Sequence, residues 1–138
     1  SALAGVSRGM PEWQRAVKLQ SRAERVGFDW PGPAPVIAKL HEEIEEVREE
    51  FDKGAVGENH DRLQDEIGDV LFVCANLARH AKVDTGAALR HANLKFERRF
   101  RMMETLAQQD GVALSSLALA AQDEYWNRSK RIERGESA

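Results

Sequence analysis

The segment Ile37-Ala38-Lys39-Leu40-His41-Glu42-Glu43-Ile44-Glu45-Glu46-Val47-Arg48-Glu49-Glu50-Phe51 decides how this chain folds. Ile37, Leu40, Ile44, Val47 and Phe51 recur at alternating steps of three and four, which gathers them on one stripe of a helix. A helix over about 35–53 follows. Leu63, Ile67, Val70, Cys74 and Leu77 repeat the pattern and predict a second helix over about 60–81, after a turn from Gly54 to Asn59. Upstream, a helix opens at Pro11, carries Trp13, Ala16 and Val17 inwards and ends at Gly27. Three of the four prolines then stiffen the loop from Gly27 to Pro35. Downstream, Asp84-Thr85 caps a helix over about 85–109 that turns Leu89, Ala92, Phe96, Met103 and Leu106 inwards. Ser115 or Ser116 caps a last one, running through Leu117, Ala121 and Tyr125 to about Glu133. Alternating β-branched runs are absent. The expected fold is all-α, with about five helices in one domain over 1–138 and flexible ends at 1–9 and 134–138.

At 138 residues and 15.5 kDa the chain has the size of one domain. Its single cysteine, Cys74, excludes an internal disulfide and a thiolate zinc site, and fits a reducing cytoplasmic setting. Lys and Arg number 20 against 23 Asp and Glu, and this balance argues against a nucleic-acid polymer as partner. No apolar run nears the ~18 residues of a membrane span. The start at Ser1 instead of Met points to a processed chain or a piece of a longer one.

Charge is segregated along the sequence: acidic from His41 to Asp69, basic from Arg79 to Arg101. Glu42, Glu45 and Glu49 lie off the apolar stripe, where charges ordinarily face water. Glu43 and Glu46 share a helix face and adjoin Ile44 and Val47; Glu66 and Asp69 repeat that placement beside Ile67 and Val70. If the two helices pack antiparallel, both carboxylate pairs converge. Four converging carboxylates repel unless a cation lies between them. An all-oxygen donor set favours Mg²⁺, with Mn²⁺ as a substitute. Gly68, between those acids, costs a helix about 1 kcal/mol relative to Ala, and a close approach of ligand or backbone would account for it.

Two uses of a carboxylate-rich bundle can be told apart. A di-iron centre needs Glu-x-x-His, and none of His41, His60, His80 and His91 has an acid three residues before it. These histidines are expected at the surface or rim. A Mg²⁺-bound polyphosphate needs facing cations, which Lys95 and Arg99 supply at a spacing of four. Trp126 and Lys130 repeat that spacing with an aromatic plane and another cation.

These pieces together resemble a known family. Glu42-Glu43-Ile44-Glu45-Glu46 followed by Glu66-Ile67-Gly68-Asp69 is similar to the EExxE…ExxD signature of MazG-type nucleoside triphosphate pyrophosphohydrolases. Gly27-Phe28-Asp29-Trp30 resembles that family's GFDW loop, and Gly68-Asp69-Val70-Leu71-Phe72 through Asn76-Leu77-Ala78-Arg79-His80 its GDLLF…NLARH helix. Asn93-Leu94-Lys95-Phe96-Glu97-Arg98-Arg99-Phe100 is similar to NxKFxxRF, and Trp126 with Lys130 to the WxxxK ending. Asp65 stands where the family more often has Glu, and Tyr125 where it has Leu.

The resemblance implies Mg²⁺-dependent hydrolysis of nucleoside triphosphates at the α–β bridge, giving monophosphate and pyrophosphate, as in clearing unwanted nucleotides from the pool. By position, the metal ligands would be Glu43, Glu46, Glu66 and Asp69, and the nucleotide contacts Lys39, Glu42, Arg62, Asp65, Lys95, Arg99, Trp126 and Lys130. Glu42 or Glu46 would take a proton from the attacking water, and Lys95 and Arg99 would stabilise charge on the leaving pyrophosphate. Trp126 or Trp30 would stack on the base. The resemblance also implies the C-terminal, active half of a tandem protein. A homodimer completing a shared four-helix core is the expected assembly, since one chain leaves apolar stripes uncovered. The alternatives are a non-catalytic nucleotide-binding or regulatory bundle and a related all-α pyrophosphatase restricted to dUTP.

Overall fold

A computed structural model describes residues 1–137. Five α-helices carry the chain: α1 (Glu12–Glu24), α2 (Pro33–Asp52), α3 (His60–His80), α4 (Thr85–Gln109) and α5 (Leu119–Glu133), with a short 3₁₀ turn at Leu114–Ser116. Among the described residues there is no strand, and no helix is long and apolar enough to cross a membrane. The all-α expectation holds, and helix limits agree with the sequence pattern to within a few residues. The residues gather into two compact units, Ser1–Ala88 and Leu89–Ala138.

In the first unit α3 packs along α2 and against α1. The loop after α1 turns at Gly27, whose φ of 85° lies in the left-handed region, while the Phe28 N–H returns to the Ala23 carbonyl at 3.1 Å. That closure is the usual glycine ending of a helix. The connection from α2 to α3 is tied by Asn59, whose Nδ2 donates to the Glu50 carbonyl at 2.6 Å and to Glu50 Oε2 at 3.0 Å. Val36, Leu63, Val73 and Ala75 form the buried centre.

The inward line of α2 differs from the expected stripe. Ile37, Ile44 and Phe51 are 44%, 42% and 49% exposed, whereas Val36, Glu43 and Glu50, one residue earlier in each case, are buried. One residue is about 100° of helix rotation, so α3 meets the flank of the apolar stripe instead of its centre. A chain with one neighbour on that helix covers one side of it. Ile67 on α3 is likewise 41% exposed.

In the second unit Met103, Leu106 and Ala107 are buried as the period requires, but Leu89, Ala92 and Phe96 are exposed, contrary to expectation. Periodicity names a face, and burial depends on how much packs there: Phe96 meets the rings of Phe100 and Trp126 and still stays 58% exposed. Asp84 does cap α4, accepting from the Ala87 N–H at 2.8 Å. Neither Ser115 nor Ser116 caps α5: the helix starts three residues after Ser116, behind Ala118, which offers no side-chain bond. Ser116 Oγ instead donates to the Ala113 carbonyl at 2.7 Å and closes the 3₁₀ turn.

Candidate metal centre

Antiparallel packing of α2 on α3 brings Glu43, Glu46 and Glu66 together, each offering an oxygen within 4.8 Å of the others. Glu43 is 6% exposed, and Glu46 and Glu66 are half-buried. Among the described residues one cation pairs with the trio: Lys39 Nζ lies 3.1 Å from Glu43 Oε1, and 3.6 Å from Oε1 of the neighbouring Glu42. Glu43 Oε2 and Glu66 Oε2 are buried with no hydrogen-bond partner. An ionised oxygen in that state costs free energy unless something positive meets it. The strain shows on Glu46: a hydrogen bond with Glu66, and next the charge of Glu43, push its carboxyl up to about 7 from 4.5. Partial loss of hydration, followed by the charges of Asp65, Glu43 and Glu66, raises Asp69 as well.

Glu50, further along the same inward line of α2, shows what a satisfied carboxylate looks like here. Lys53 Nζ donates to it at 2.9 Å, Asn59 donates at 3.0 Å, and these two bonds hold its carboxyl below the usual range. Glu50 is therefore a structural clamp, and the trio is not. Three hard oxygens, two of them orphaned, fit a divalent cation that prefers oxygen ligands.

The other expected residues are distributed as follows. Asp69 is exposed and stands outside the trio; with Asp61, Gln64, Asp65 and Gly68 it lines an acidic cavity of about 490 Å³. Gly68 has open space beside it: a Cβ there would meet no atom of another element within 4 Å, so no neighbouring helix among the described residues explains it. Glu42 and Glu45 are 61% exposed and Glu49 is exposed, as expected of solvated positions, and Arg62 is exposed too.

In the second unit Arg99 lies over the Trp126 ring at 5.6 Å, and Phe96 packs on that ring at 5.6 Å between centroids. Arg99 Nε donates to Glu133 Oε2 at 2.9 Å and Arg98 to Glu133 Oε1 at 2.9 Å; these contacts, that of Arg99 first, hold the Glu133 carboxyl below its usual range. Glu133 escapes sequence inspection because it lies 34 residues from Arg99. Lys95 and Lys130 are half-buried and make no ion pair among the described residues.

A second polar cluster also escapes the sequence. Arg79 donates to Asp29 Oδ1 at 2.6 Å, to Glu24 Oε2 at 2.8 Å and to Asn76 Oδ1 at 2.7 and 3.0 Å. His80 Nε2 stands 3.1 Å from Asp29 Oδ1 and is 11% exposed, so it departs from the surface placement that holds for His41, His60 and His91. Burial raises the Asp29 carboxyl, but the bonds from Arg79 and His80 outweigh it and leave the group below its ordinary value.

The chain is similar to several known proteins. A family model described as the MazG nucleotide pyrophosphohydrolase domain matches residues 32–103. The nucleoside triphosphate pyrophosphohydrolase of Escherichia coli is 41% identical over 133 residues, covering 96% of this chain and 50% of that protein. The nucleoside triphosphate pyrophosphohydrolase/pyrophosphatase MazG of Thermotoga maritima is 40% identical over 121 residues, 88% of this chain and 45% of that protein. An uncharacterized Bacillus subtilis protein, YabN, is 42% identical over 72 residues, 52% of this chain and 15% of its own length. The chain thus spans about half the length of the first two relatives.

Proposed function

The chain belongs to the MazG nucleotide pyrophosphohydrolase domain family, and on that premise we propose that it hydrolyses nucleoside triphosphates at the α–β bridge, releasing monophosphate and pyrophosphate. The observation that carries this is the Glu43–Glu46–Glu66 trio, whose oxygens converge with two of them unpartnered. Those three carboxylates, with Asp69 one turn on from Glu66, would hold Mg²⁺, or Mn²⁺ in its place. The cation supplies charge neutralisation at phosphate oxygens and a more acidic water. Lys39 orients Glu43 through its 3.1 Å contact, and the second Glu43 oxygen, buried without a partner, would be the one to meet the cation. Glu42, outside the trio, is the carboxylate free to take a proton from the attacking water; Glu46 takes that role if it leaves the cation.

Lys95, Arg99, Trp126 and Lys130 contribute cations and an aromatic surface for the nucleotide, and Arg62 and Asp65 further polar contacts. Glu133 holds Arg99 until a phosphate competes for it, since both bind a guanidinium through paired oxygens. The half-exposed Ile37, Ile44 and Phe51, seven residues apart, support a homodimer that covers this stripe. We place the reaction in the cytoplasm, where its substrates are and where a free, half-buried Cys74 persists.

Pyrophosphate release from a panel of ribo- and deoxynucleoside triphosphates, with Mg²⁺, Mn²⁺ and no metal, tests the proposal. Metal-dependent release is expected. Binding of nucleotide without release under all metal conditions would instead make the chain a non-catalytic binding domain. Light scattering tests the dimer, which a monomer at full activity overturns.

A further inference from the structure

Glu133 is the last residue of α5 and lies outside every motif quoted above. Its setting is cationic. Lys130 and Arg131 share its turn and Arg134 follows it, while Arg98 and Arg99 reach it from α4. A helix C-terminus is the negative end of the peptide dipoles, so the position suits Lys or Arg and works against a carboxylate. Glu133 contributes nothing to its own helix there, and what holds it is the pair of arginines.

Both arginines share the one carboxylate. Oε1 accepts from Arg98 Nε and Oε2 from Arg99 Nε, each at 2.9 Å. An anion that gives one oxygen to each of two guanidinium groups is an arrangement a phosphate can also satisfy, because both anions accept charge-assisted bonds from arginine. Arg99 is otherwise ready for such a ligand. Its side chain is 22% exposed, its guanidinium carbon lies 5.6 Å from the centre of the Trp126 ring, and Phe96 packs on that ring in turn. Glu133 is the acid that meets it, whereas Lys95 and Lys130 make no ion pair among the described residues.

We propose that Glu133 is an internal competitor of the polyphosphate: its carboxylate stands in for phosphate on Arg98 and Arg99, yields when the triphosphate binds, and returns to both arginines as pyrophosphate leaves. The proposal rests on the hydrolase reading above, which makes pyrophosphate the product. Pyrophosphate keeps most of the negative charge of the triphosphate, so cations that capture the substrate also retain the product. A carboxylate beside two of those cations opposes the retention, since it repels the departing anion and refills the contacts that the anion gives up. Weaker substrate binding is the cost, and faster product release, a step that limits many enzymes, is the gain. Glu133 touches no reacting atom and acts through the arginines; it is a positioning residue.

The sign of the effect separates this role from a structural one. A carboxylate that only props Arg99 in place would lose ligand affinity when removed, whereas a competitor gains it. Calorimetric titration of the full chain with inorganic pyrophosphate and Mg²⁺, for wild type, Glu133→Gln and Glu133→Ala, reads that sign directly. Both variants should bind pyrophosphate about fivefold more tightly, the size of one partly exposed ion pair. KM for a nucleoside triphosphate should fall in parallel while kcat does not rise, and orthophosphate, with less charge, should gain less. Far-UV circular dichroism checks the fold. Should Glu133→Ala lose helicity, Glu133→Gln, which keeps one acceptor oxygen for the arginines, decides alone. Unchanged or weaker pyrophosphate binding in the folded variants overturns the inference and leaves the hydrolase proposal standing, as does the absence of pyrophosphate binding in wild type and variants alike. If wild type cleaves no triphosphate, the hydrolase proposal fails separately, and the pyrophosphate titrations still decide the competition at Arg98 and Arg99 by the same sign.

Discussion

Two carboxylate clusters border α3, and they are opposites. Asp29 is met by Arg79 at 2.6 Å and His80 at 3.1 Å, and its carboxyl is held low. Glu43, Glu46 and Glu66 meet mainly one another, and Glu46 is driven up to about 7. Acidic side chains alone therefore do not mark a site; the unsatisfied charge does. The Asp29 cluster fastens a loop, whereas the charge of the trio is left unmet by the residues around it.

The largest expected effect separates the two by chemistry. Glu66→Gln should lower Mg²⁺-dependent pyrophosphate release by at least about 100-fold, more than the loss typical of outer partners of a metal, with far-UV helicity kept. Asp29→Asn should leave Mg²⁺ affinity in place; retained activity in the first variant, or lost Mg²⁺ binding in the second, would erase the distinction.

Next in size is the stability cost at the satisfied cluster. Asp29→Asn should destabilise the fold by about 2 kcal/mol in urea titrations, since charged hydrogen bonds of this kind contribute about 1.5–3. Glu24 and Asn76 remain as partners for Arg79 and keep the loss below that of a stranded buried charge.

Gly68→Ala comes third. Nothing stands within 4 Å of the new methyl group, so the metal-free chain should gain up to about 1 kcal/mol from helix propensity. Activity should nonetheless fall, because Gly68 lines the acidic cavity; a stabilised variant with full turnover would show that no substrate approaches there.

The smallest effect is in pH dependence, and its sign is opposite at the two clusters. Glu46 binds its proton more tightly folded than unfolded, so its contribution is full below about 4.5 and is lost as pH rises through about 7. Asp29, held low, contributes above its ordinary 3.8 and loses this as pH falls through the lower folded value. Denaturation of the metal-free chain across this range should show both limbs, and Glu46→Gln should flatten only the upper one.

Much of this was legible in the residues. The three-four spacing in α2 and α3, the Asp84 cap and the Gly27 stop are local signals, and they yielded five helices with nearly correct limits. The convergence of Glu43, Glu46 and Glu66 came from the same spacing once the two helices were packed antiparallel, while Asp69, expected beside Glu66, stands outside the trio. Glu133 on Arg99, Gln20 on Phe72 and Asp29 on Arg79 were not legible, because 34, 52 and 50 residues separate the partners.

The sequence by itself determined the helical class, and motifs spread from Gly27 to Lys130 determined the family, since both depend on residue type and local spacing. Only the tertiary structure decided that the inward line of α2 is Val36–Glu43–Glu50 and not the apolar stripe beside it. It also decided which carboxylates are neutralised. Rotation of a helix about its axis, and the charge that meets a side chain, are set by whatever packs against it, and no period within one helix contains that information.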